Sequence, residues 1–124
     1  MVVGIGTDVV NVERIESIFQ KYGDKFLKKI FHKLEIEKFT VLTSTQQLGY
    51  LAKRFAAKEA VAKLLGIGIG KGLAFRDIAI VNNDTGVPKV LMSPEKFPDI
   101  MKYNVQISLS DDYPFAVAFV VVTG

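Results

Sequence analysis

Hydrophobic residues in the first half of the chain recur at helical spacing. One stripe, followed by the stop signal Gly23, comprises Val12, Ile15, Phe19 and Tyr22. This stripe predicts a helix over Val12–Tyr22, with Asn11 able to cap its start. Asp24 is predicted to cap a second helix, whose apolar stripe comprises Phe26, Leu27, Ile30, Phe31 and Leu34.

A longer helical pattern occupies the middle of the chain. Ser44 and Gln47 have the spacing of a capping box, which opens a helix running from about Thr45 to Leu65 and closed by Gly66. On a helical wheel, the apolar stripe of this helix comprises Leu48, Leu51, Ala52, Phe55 and Ala62. We expect this stripe to face the core.

The second half of the chain changes to strand patterns. β-rich segments cover residues 77–81, 88–92, 105–110 and 115–122, with turn-forming residues at 83–86 and 111–114. A short helix is predicted from Ser93, because Pro94 suits the first helical position. Near the N-terminus, Val2, Val3 and Ile5 begin a short strand ending near Asp8. Helices followed by hairpins predict an α+β fold with an antiparallel sheet.

Composition narrows the class of protein. The 124 residues are 49% hydrophobic and 23% charged, which predicts one ordered domain over residues 1–124. With no Cys, disulfide scaffolds, thiol nucleophiles and Cys-ligated zinc are excluded, and we expect a cytoplasmic protein. No apolar run approaches the roughly 20 residues that span a bilayer, so neither secretion nor membrane insertion is expected. The single His, His32, is expected at the surface or at a helix end.

Positive charge is concentrated in the N-terminal half. Residues 1–63 carry 11 Lys and Arg against 7 Asp and Glu, whereas residues 64–124 carry 5 against 6. Arg14, Ile18 and Lys21 share the side of the first helix opposite its apolar stripe, and Lys25 follows. An exposed Ile flanked by cations fits recognition of an acidic amphipathic helix, although an ordinary solvated face is the alternative. Nucleic acid is less favoured, because the patch lacks interleaved aromatic residues.

Two carboxylates stand in apolar surroundings. Glu59 lies about 20° from Leu48 on the wheel, inside the apolar stripe, where an unpaired charge is costly. Asp8 lies between an apolar strand and another apolar pair. A Glu59–Lys63 pair and a turn or cap role for Asp8 are the structural alternatives. Together, however, the two acids suit Mg²⁺, which proteins hold with one or two carboxylates plus waters and substrate phosphates.

A glycine-dense loop follows the long helix. Its glycines are Gly66, Gly68, Gly70 and Gly72. They allow the backbone to approach a ligand closely, with Arg54, Lys63 and Lys71 able to supply positive charge nearby. The loop is not a Walker loop, since Lys71 is followed by Gly and the loop leaves a helix instead of entering one. A long helix C-cap is the alternative.

Several segments together resemble one enzyme family. They are Gly-Ile-Gly-Thr-Asp-Val-Val at 4–10, Arg-Phe-Ala-Ala-Lys-Glu-Ala at 54–60, Gly-Ile-Gly at 68–70, Phe-Arg-Asp-Ile at 75–78, Gly-Val-Pro-Lys at 86–89, Ser-Leu-Ser at 108–110 and Ala-Val-Ala at 116–118. In this order they resemble the holo-acyl carrier protein synthases, which transfer 4′-phosphopantetheine from coenzyme A to a serine of apo-acyl carrier protein.

The resemblance implies roles for the two acids. It implies that Asp8 and Glu59 bind Mg²⁺ together with the pyrophosphate of coenzyme A, and that the serine attacks the β-phosphate to release adenosine 3′,5′-bisphosphate. Lys63 would hold a phosphate and help the leaving group. Glu59, directly or through water, could accept the serine proton.

The resemblance also implies binding surfaces and an assembly. Contacts to coenzyme A are expected from Arg54, Lys63, Gly66, Gly68, Gly70 and Ser110. Carrier-protein contacts are expected from Arg14, Ile18, Lys21, Lys25 and Phe26. A homotrimer with coenzyme A in clefts between subunits is implied. The chain departs from the family pattern at Asp111, where some members have a His that meets the adenosine end of coenzyme A, and at Thr45 and Gln46, where some relatives carry basic residues.

Two rivals from other classes remain at this point. One is a non-catalytic module that binds an acidic helical protein, with structural carboxylates. The other is a nucleic-acid binder that uses the basic helices. Asp8 and Glu59 distinguish the enzyme from both rivals. A docking module needs neither carboxylate, and a nucleic-acid binder is harmed by both.

Overall fold

In the part of the chain that the structure describes, four α-helices and five strands build an α+β fold, which confirms the predicted class. The structure is a computed structural model that describes residues 1–65, 75–93, 95–97 and 102–124. The helices are α1 (Val12–Tyr22), α2 (Asp24–Ile30), α3 (Lys33–Val41) and α4 (Ser44–Leu65). The strands are β1 (Val2–Asn11), β2 (Ile78–Asn82), β3 (Pro88–Met92), β4 (Asn104–Asp112) and β5 (Phe115–Thr123). A 3₁₀ turn over Phe75–Asp77 precedes β2.

Two antiparallel sheets carry the strands. The larger sheet has the order β1-β5-β4, and β2 pairs with β3 in a hairpin. Its turn is the predicted one, since the Asn83 side chain accepts from the Thr85 and Val87 amides and Gly86 has φ +84°. The predicted strands agree with the observed ones to within two residues, except that β1 continues past Asp8 to Asn11.

The core lies between α4 and the inner face of the larger sheet. Inner β5 residues that are essentially inaccessible are Ala116, Ala118, Val120 and Val122. Leu51, Ala56 and Ala60 of α4 are also buried, and α4 packs directly on β1 and β5. Small side chains on both surfaces allow a close approach of the helix to the sheet.

The predicted second helix is in fact two helices, which corrects the sequence interpretation. The chain becomes extended at Phe31 and His32, and α3 begins there. The His32 side chain accepts from the Leu34 amide at 3.0 Å, while Glu35 accepts from the His32 amide at 2.9 Å. His32 therefore lies at a helix end, as expected, but as the first half of a capping box.

The start of α4 is also one residue earlier than predicted. Ser44 and Gln47 do not form the capping box; instead, Gln46 accepts from the Thr43 amide at 3.2 Å. The Gln47 side chain donates to the Phe39 carbonyl of α3. At the predicted helix from Ser93, the described residues form a turn in which the Phe97 amide donates to Ser93. Pro94 lies outside the described residues.

A buried ion pair that no sequence pattern predicts joins α3 to α4. Lys58 and Glu35 are 0% and 1% exposed, with 2.5 Å between Nζ and Oε1. Lys58 also donates to the carbonyls of Phe75 and Ile78, and Glu35 accepts from the Ile80 amide. Burial lowers the pKa of Lys58 against the opposing effect of Glu35. The pair ties α4 to the start of β2.

Candidate active site

The first strand meets the long helix at a point of unusually close approach. A Cβ atom on Gly6 would overlap the Ala60 carbonyl oxygen and lie 3.2 Å from the Leu64 Cβ. Glycine is therefore required at this crossing for steric reasons. Two residues further along β1, the side chain of Asp8 points to the same inner face, which brings it to the last turns of α4.

Asp8 and Lys63 form the ion pair at this crossing. Lys63 Nζ lies 2.8 Å from Asp8 Oδ1 and 3.2 Å from the Thr7 carbonyl oxygen. The Asp8 side chain is 16% exposed and that of Lys63 58% exposed. The hydrogen bond to Asp8 raises the pKa of Lys63. The Lys63 partner is thus Asp8, and not Glu59 as the structural alternative proposed.

Glu59 lies beside this pair, half-buried rather than in the centre of the core-facing stripe. Burial raises its pKa above the ordinary value, and the nearby Asp8 carboxylate raises it further. The positive charges of Lys63 and Arg14 act in the opposite direction. Two carboxylates, from β1 and α4, therefore lie close enough to repel each other, and a bound cation would relieve this repulsion.

The chemistry of these donors fits a hard divalent cation. Among the described residues, no group of three or more His, Cys, Asp and Glu could hold a metal by itself. Asp8 and Glu59 provide carboxylate oxygens and leave further coordination positions to water or to substrate oxygens. This is the arrangement by which proteins usually hold Mg²⁺ on a phosphorylated substrate.

A cavity of about 730 Å³ opens along the N-terminal half of the same helix. Its lining includes Lys38, Thr45, Gln46, Gly49, Tyr50, Lys53, Arg54, Asn82, Asn83 and Asp111. The Arg54 guanidinium stacks over the Tyr50 ring at 4.3 Å and donates to Asn82 at 3.0 Å. Burial raises the pKa of Tyr50 to about 12. Its hydroxyl therefore stays neutral and donates to the Glu35 carbonyl.

Comparison with known proteins gives a consistent result. A sequence model of the 4′-phosphopantetheinyl transferase superfamily matches residues 4–118. A holo-[acyl-carrier-protein] synthase of Orientia tsutsugamushi (strain Ikeda) is 44% identical over 131 residues, which cover 99% of this chain and 98% of that protein. The chain belongs to the holo-acyl carrier protein synthases of this superfamily.

Solved structures of the family superpose over the length of the chain. The holo-[acyl-carrier-protein] synthase of Neisseria meningitidis is 37% identical with a TM-score of 0.88, and both chains are covered completely. That of Helicobacter pylori, solved in complex with coenzyme A, is 36% identical with a TM-score of 0.83, over 96% of this chain and 99% of that one. The α+β fold is therefore the family fold.

The remaining residues predicted for this synthase to bind coenzyme A lie in different places. Arg54 lines the cavity, whereas Gly66, Gly68 and Gly70 lie outside the described residues. Ser110 is exposed and pairs with Val117, on the face of the sheet that points away from α4. Within a single chain, Ser110 therefore does not lie with Asp8 and Glu59.

The predicted carrier-protein face of the synthase is partly exposed. Arg14, Lys21 and Lys25 are exposed, but the expectation of an exposed Ile18 is wrong, because Ile18 is half-buried against the core. Phe26 is only 7% exposed. The register of α1 on α4 explains the difference, since Tyr22, predicted on the buried side, is 51% exposed instead.

Phe26 packs edge-to-face on Phe31, with 5.6 Å between ring centroids. Its ring is part of the core beneath α2, and the surface above it is formed by the neighbouring lysines. Any role of Phe26 in partner binding would therefore act through the position of α2.

Two residues of the synthase cavity were not singled out as a pair by the sequence. Lys53 Nζ lies 3.4 Å from Asp111 Oδ1, so α4 and the end of β4 are joined by an ion pair at the cavity wall. The residues are far apart in the chain, and no spacing rule relates them. The only sequence feature at this position is that Asp111 departs from the family pattern.

Proposed function

We propose that this protein transfers 4′-phosphopantetheine from coenzyme A to a serine of apo-acyl carrier protein, with Mg²⁺ held by Asp8 and Glu59. The transfer is the activity of the family to which the chain belongs. The observation that carries the metal assignment is the meeting of two carboxylates and one ammonium group where β1 crosses α4. When bound, Mg²⁺ would neutralise the pyrophosphate and favour in-line attack.

The protein's own residues supply positioning and proton transfer. Lys63 is exposed and flexible enough to exchange Asp8 for a phosphate oxygen, so it can hold the substrate and stabilise charge on the leaving group. Glu59 has a raised pKa, which makes it a better proton acceptor than an ordinary carboxylate. It can therefore accept the proton of the attacking serine, directly or through one water.

We also propose a homotrimer. The outward face of the larger sheet is apolar and exposed, with Ile5, Val9, Phe115, Val117 and Phe119 all at least 39% accessible. Cross-strand pairing of Val9 with Val117 makes this face continuous across β1 and β5. An apolar area of this kind is typical of a subunit interface. Because Ser110 lies on this face, it would reach coenzyme A in a cleft shared with a neighbouring copy.

The acidic carrier protein is proposed to dock on α1 and the start of α2. Exposed Arg14, Lys21 and Lys25 supply the positive charge that steers an acidic partner. Ile18 contributes an apolar centre that is half-covered by the core.

The absence of Cys from the sequence supports a cytoplasmic setting, where thiols stay reduced. No helix among the described residues is long and apolar enough to cross a membrane.

Intact-mass spectrometry tests the proposed reaction. Apo-acyl carrier protein incubated with coenzyme A, Mg²⁺ and this protein should gain the mass of one phosphopantetheine group, and a chelator should stop the gain. Glu59→Gln should abolish transfer, whereas Glu37→Gln, at an exposed position of α3, should not. Transfer that continues undiminished in Glu59→Gln would contradict the metal assignment.

Steady-state kinetics test the docking face. Ile18→Ala and Lys21→Glu should raise the KM for carrier protein far more than the KM for coenzyme A. Lys33→Glu, on α3, is the charge-matched control. Arg14 is less suitable, because its charge also lowers the pKa of Glu59. Equal effects on both substrates would rule out this surface.

A further inference from the structure

The buried Lys58 of α4 is held by acceptors from three other parts of the fold. Its Nζ lies 2.5 Å from Glu35 Oε1 on α3. It also donates to the Phe75 carbonyl at 2.9 Å and to the Ile78 carbonyl at the start of β2. An ammonium group has three donor hydrogens, and these three acceptors use all of them. The direction of the Lys58 side chain is therefore fixed.

The Glu35 carboxylate is fixed just as completely. Its Oε1 accepts from the His32 amide at 2.9 Å, and its Oε2 accepts from the Ile80 amide at 3.0 Å. In a buried and fully hydrogen-bonded network, a movement of either partner leaves a polar group without water and without a bond. The network therefore permits few alternative positions of α4 relative to α3 and β2.

The apolar surface of α4 around Lys58 offers less to fix the helix in one rotation. Between residues 52 and 60, the fully buried apolar side chains are all alanines, at positions 52, 56, 57 and 60. Methyl groups project little from a helix, so the ridges that would lock it against its neighbours are low. The contact of Gly6 with the Ala60 carbonyl limits how closely β1 approaches α4. That single contact does not by itself fix the rotation of the helix.

Glu59 follows Lys58 directly, so a rotation of α4 moves both side chains together. Their directions differ by about 100° around the helix axis, which allows Lys58 to point into the core while Glu59 lies beside Asp8. A carboxylate about 6 Å from the axis moves by about 1 Å when the helix rotates by about 10°. Mg²⁺ requires nearly ideal octahedral geometry, so a shift of this size would weaken a site formed by Glu59 and Asp8.

We propose that Lys58 is a positioning residue for the metal site, which fixes the rotation of α4 so that Glu59 lies beside Asp8. This role depends on the proposed function, which supplies the cation. Lys58 is 0% exposed, so it acts through Glu59 and contacts neither the cation nor a substrate. Glu35 has the same role one step further away, because it holds Lys58 in place.

The double variant Glu35→Gln/Lys58→Met tests this role. It removes one positive and one negative charge, so the net charge of the protein stays the same and an effect on cation binding is not a long-range electrostatic one. The glutamine amide oxygen can still accept a backbone hydrogen bond. Because neither charge is left alone in the core, we expect the double variant to fold, and circular dichroism checks this.

Mn²⁺ titration followed by electron paramagnetic resonance, at a temperature where the double variant is fully folded, gives the decisive measurement. We expect Mn²⁺ affinity to fall by about tenfold or more, because the two carboxylates no longer converge. We also expect kcat to fall by about 10- to 100-fold while the KM for carrier protein changes by less than about twofold. Wild-type Mn²⁺ affinity in the folded double variant would show that the pair stabilises the core and nothing more.

Ile107→Ala is the control for lost stability. Ile107 is buried on β4, at the opposite edge of the larger sheet from β1, and its truncation leaves a cavity while keeping the Lys58–Glu35 pair. We expect this variant to be destabilised but to bind Mn²⁺ like the wild type. An equal loss of Mn²⁺ affinity in Ile107→Ala would overturn the proposal, because any destabilisation would then have the same effect.

Glu35→Gln alone replaces the double variant if that protein does not fold. It keeps both carbonyl partners of Lys58, so we expect a smaller loss of Mn²⁺ affinity, of about threefold, and unchanged affinity would contradict the role. Failure of the proposed function gives a different result. Wild-type protein that binds no Mn²⁺ contradicts the metal site itself, and the positioning role with it, whereas equal binding by wild type and double variant contradicts the positioning role alone.

Discussion

At the scale of single residues, α4 carries two lysines with opposite environments. Lys58 is sealed in the core against Glu35, whereas Lys63 is exposed and holds Asp8. A buried pair is costly to break, because the remaining charge has no solvent to replace its partner. An exposed lysine can exchange partners at little cost. The buried Lys58–Glu35 pair therefore stabilises the fold, whereas the exposed Lys63 is able to bind a substrate phosphate.

Removing Lys58 should therefore destabilise the fold. We expect Lys58→Met to lower the free energy of unfolding by about 3–5 kcal/mol, since Glu35 is left buried without its cation. Urea denaturation measures this. The double variant with Glu35→Gln should lose much less than the sum of the two single losses. Strict additivity would show that the two side chains are not energetically coupled.

Removing the charge of Glu59 should have the opposite effect on stability. Burial, and then Asp8, raise the pKa of Glu59, so the folded protein keeps a proton that the unfolded chain releases above pH 4.5. Stability therefore falls as pH rises from that value through the folded pKa, and the ionised group is a net cost at neutral pH. Glu59→Gln should therefore raise the melting temperature at pH 7.5 when Mg²⁺ is absent.

The pH dependence provides the control for this prediction. The difference between Glu59→Gln and wild type should shrink below pH 4.5, where Glu59 is protonated in both the folded and the unfolded states. Added Mg²⁺ should stabilise the wild type more than the variant. A variant less stable than wild type at pH 7.5 would indicate that the Glu59 charge is already satisfied within the protein.

At the scale of elements, the sequence predicted most helices and strands but not how α4 is buried. A wheel centred on one stripe put Glu59 in its middle, yet the structure buries α4 on several sides. The buried charges of α4 are instead Lys58, at 0% exposure, and Arg54, at 5%. The hydrophobic pattern of a helix does not predict a second buried face when that face consists of alanines and a lysine.

The break between α2 and α3 was missed for a different reason. The break at Phe31 and His32 has no Gly or Pro to mark it. The only local indication of a new helix is His32, which forms a capping box with Glu35 three residues later. Ser and Thr are the usual residues in that position. The proximity of Asp8 to Glu59, by contrast, could be anticipated, because carboxylates in apolar surroundings require a compensating cation wherever the fold puts them.

The crossing of β1 over α4 should be sensitive to one methyl group. Gly6→Ala would force the strand away from the Ala60 carbonyl, because the new Cβ meets backbone and not a flexible side chain. We expect a loss of stability of about 1–3 kcal/mol and a larger loss of kcat than of coenzyme A affinity, since Asp8 is displaced. Gly4→Ala, whose Cβ would make ordinary contact at 3.5 Å with Leu64, is the matched control. Equal losses of stability and of kcat in Gly6→Ala and Gly4→Ala would show that the close approach at Gly6 does not position Asp8.

At the scale of the whole molecule, the larger sheet separates two surfaces. Its inner face carries Asp8 and packs on α4, whereas its outer face is apolar and accessible. Ser110 lies on the outer side and the cavity with Arg54 on the inner side. A second copy packed on the outer face would bring such groups together at the edge of the sheet.

A charge on the outer face should dissociate the proposed trimer. Phe119→Lys puts an ammonium group opposite Thr7 and Ser108 at the centre of the apolar face. We expect sedimentation velocity to change from a trimer to a monomer, together with a loss of transfer activity. Val41→Lys, at an exposed position at the end of α3, should leave the trimer intact. A fully active monomer would contradict a cleft shared between copies.

The most direct test of the metal assignment is the binding of Mn²⁺, used in place of Mg²⁺ and followed by electron paramagnetic resonance in the presence of coenzyme A. We expect one ion per chain for the wild type, and at least tenfold weaker binding for Asp8→Asn and for Glu59→Gln. Glu37→Gln should bind like the wild type. Unchanged Mn²⁺ affinity in both Asp8→Asn and Glu59→Gln would contradict a metal site formed by these two carboxylates.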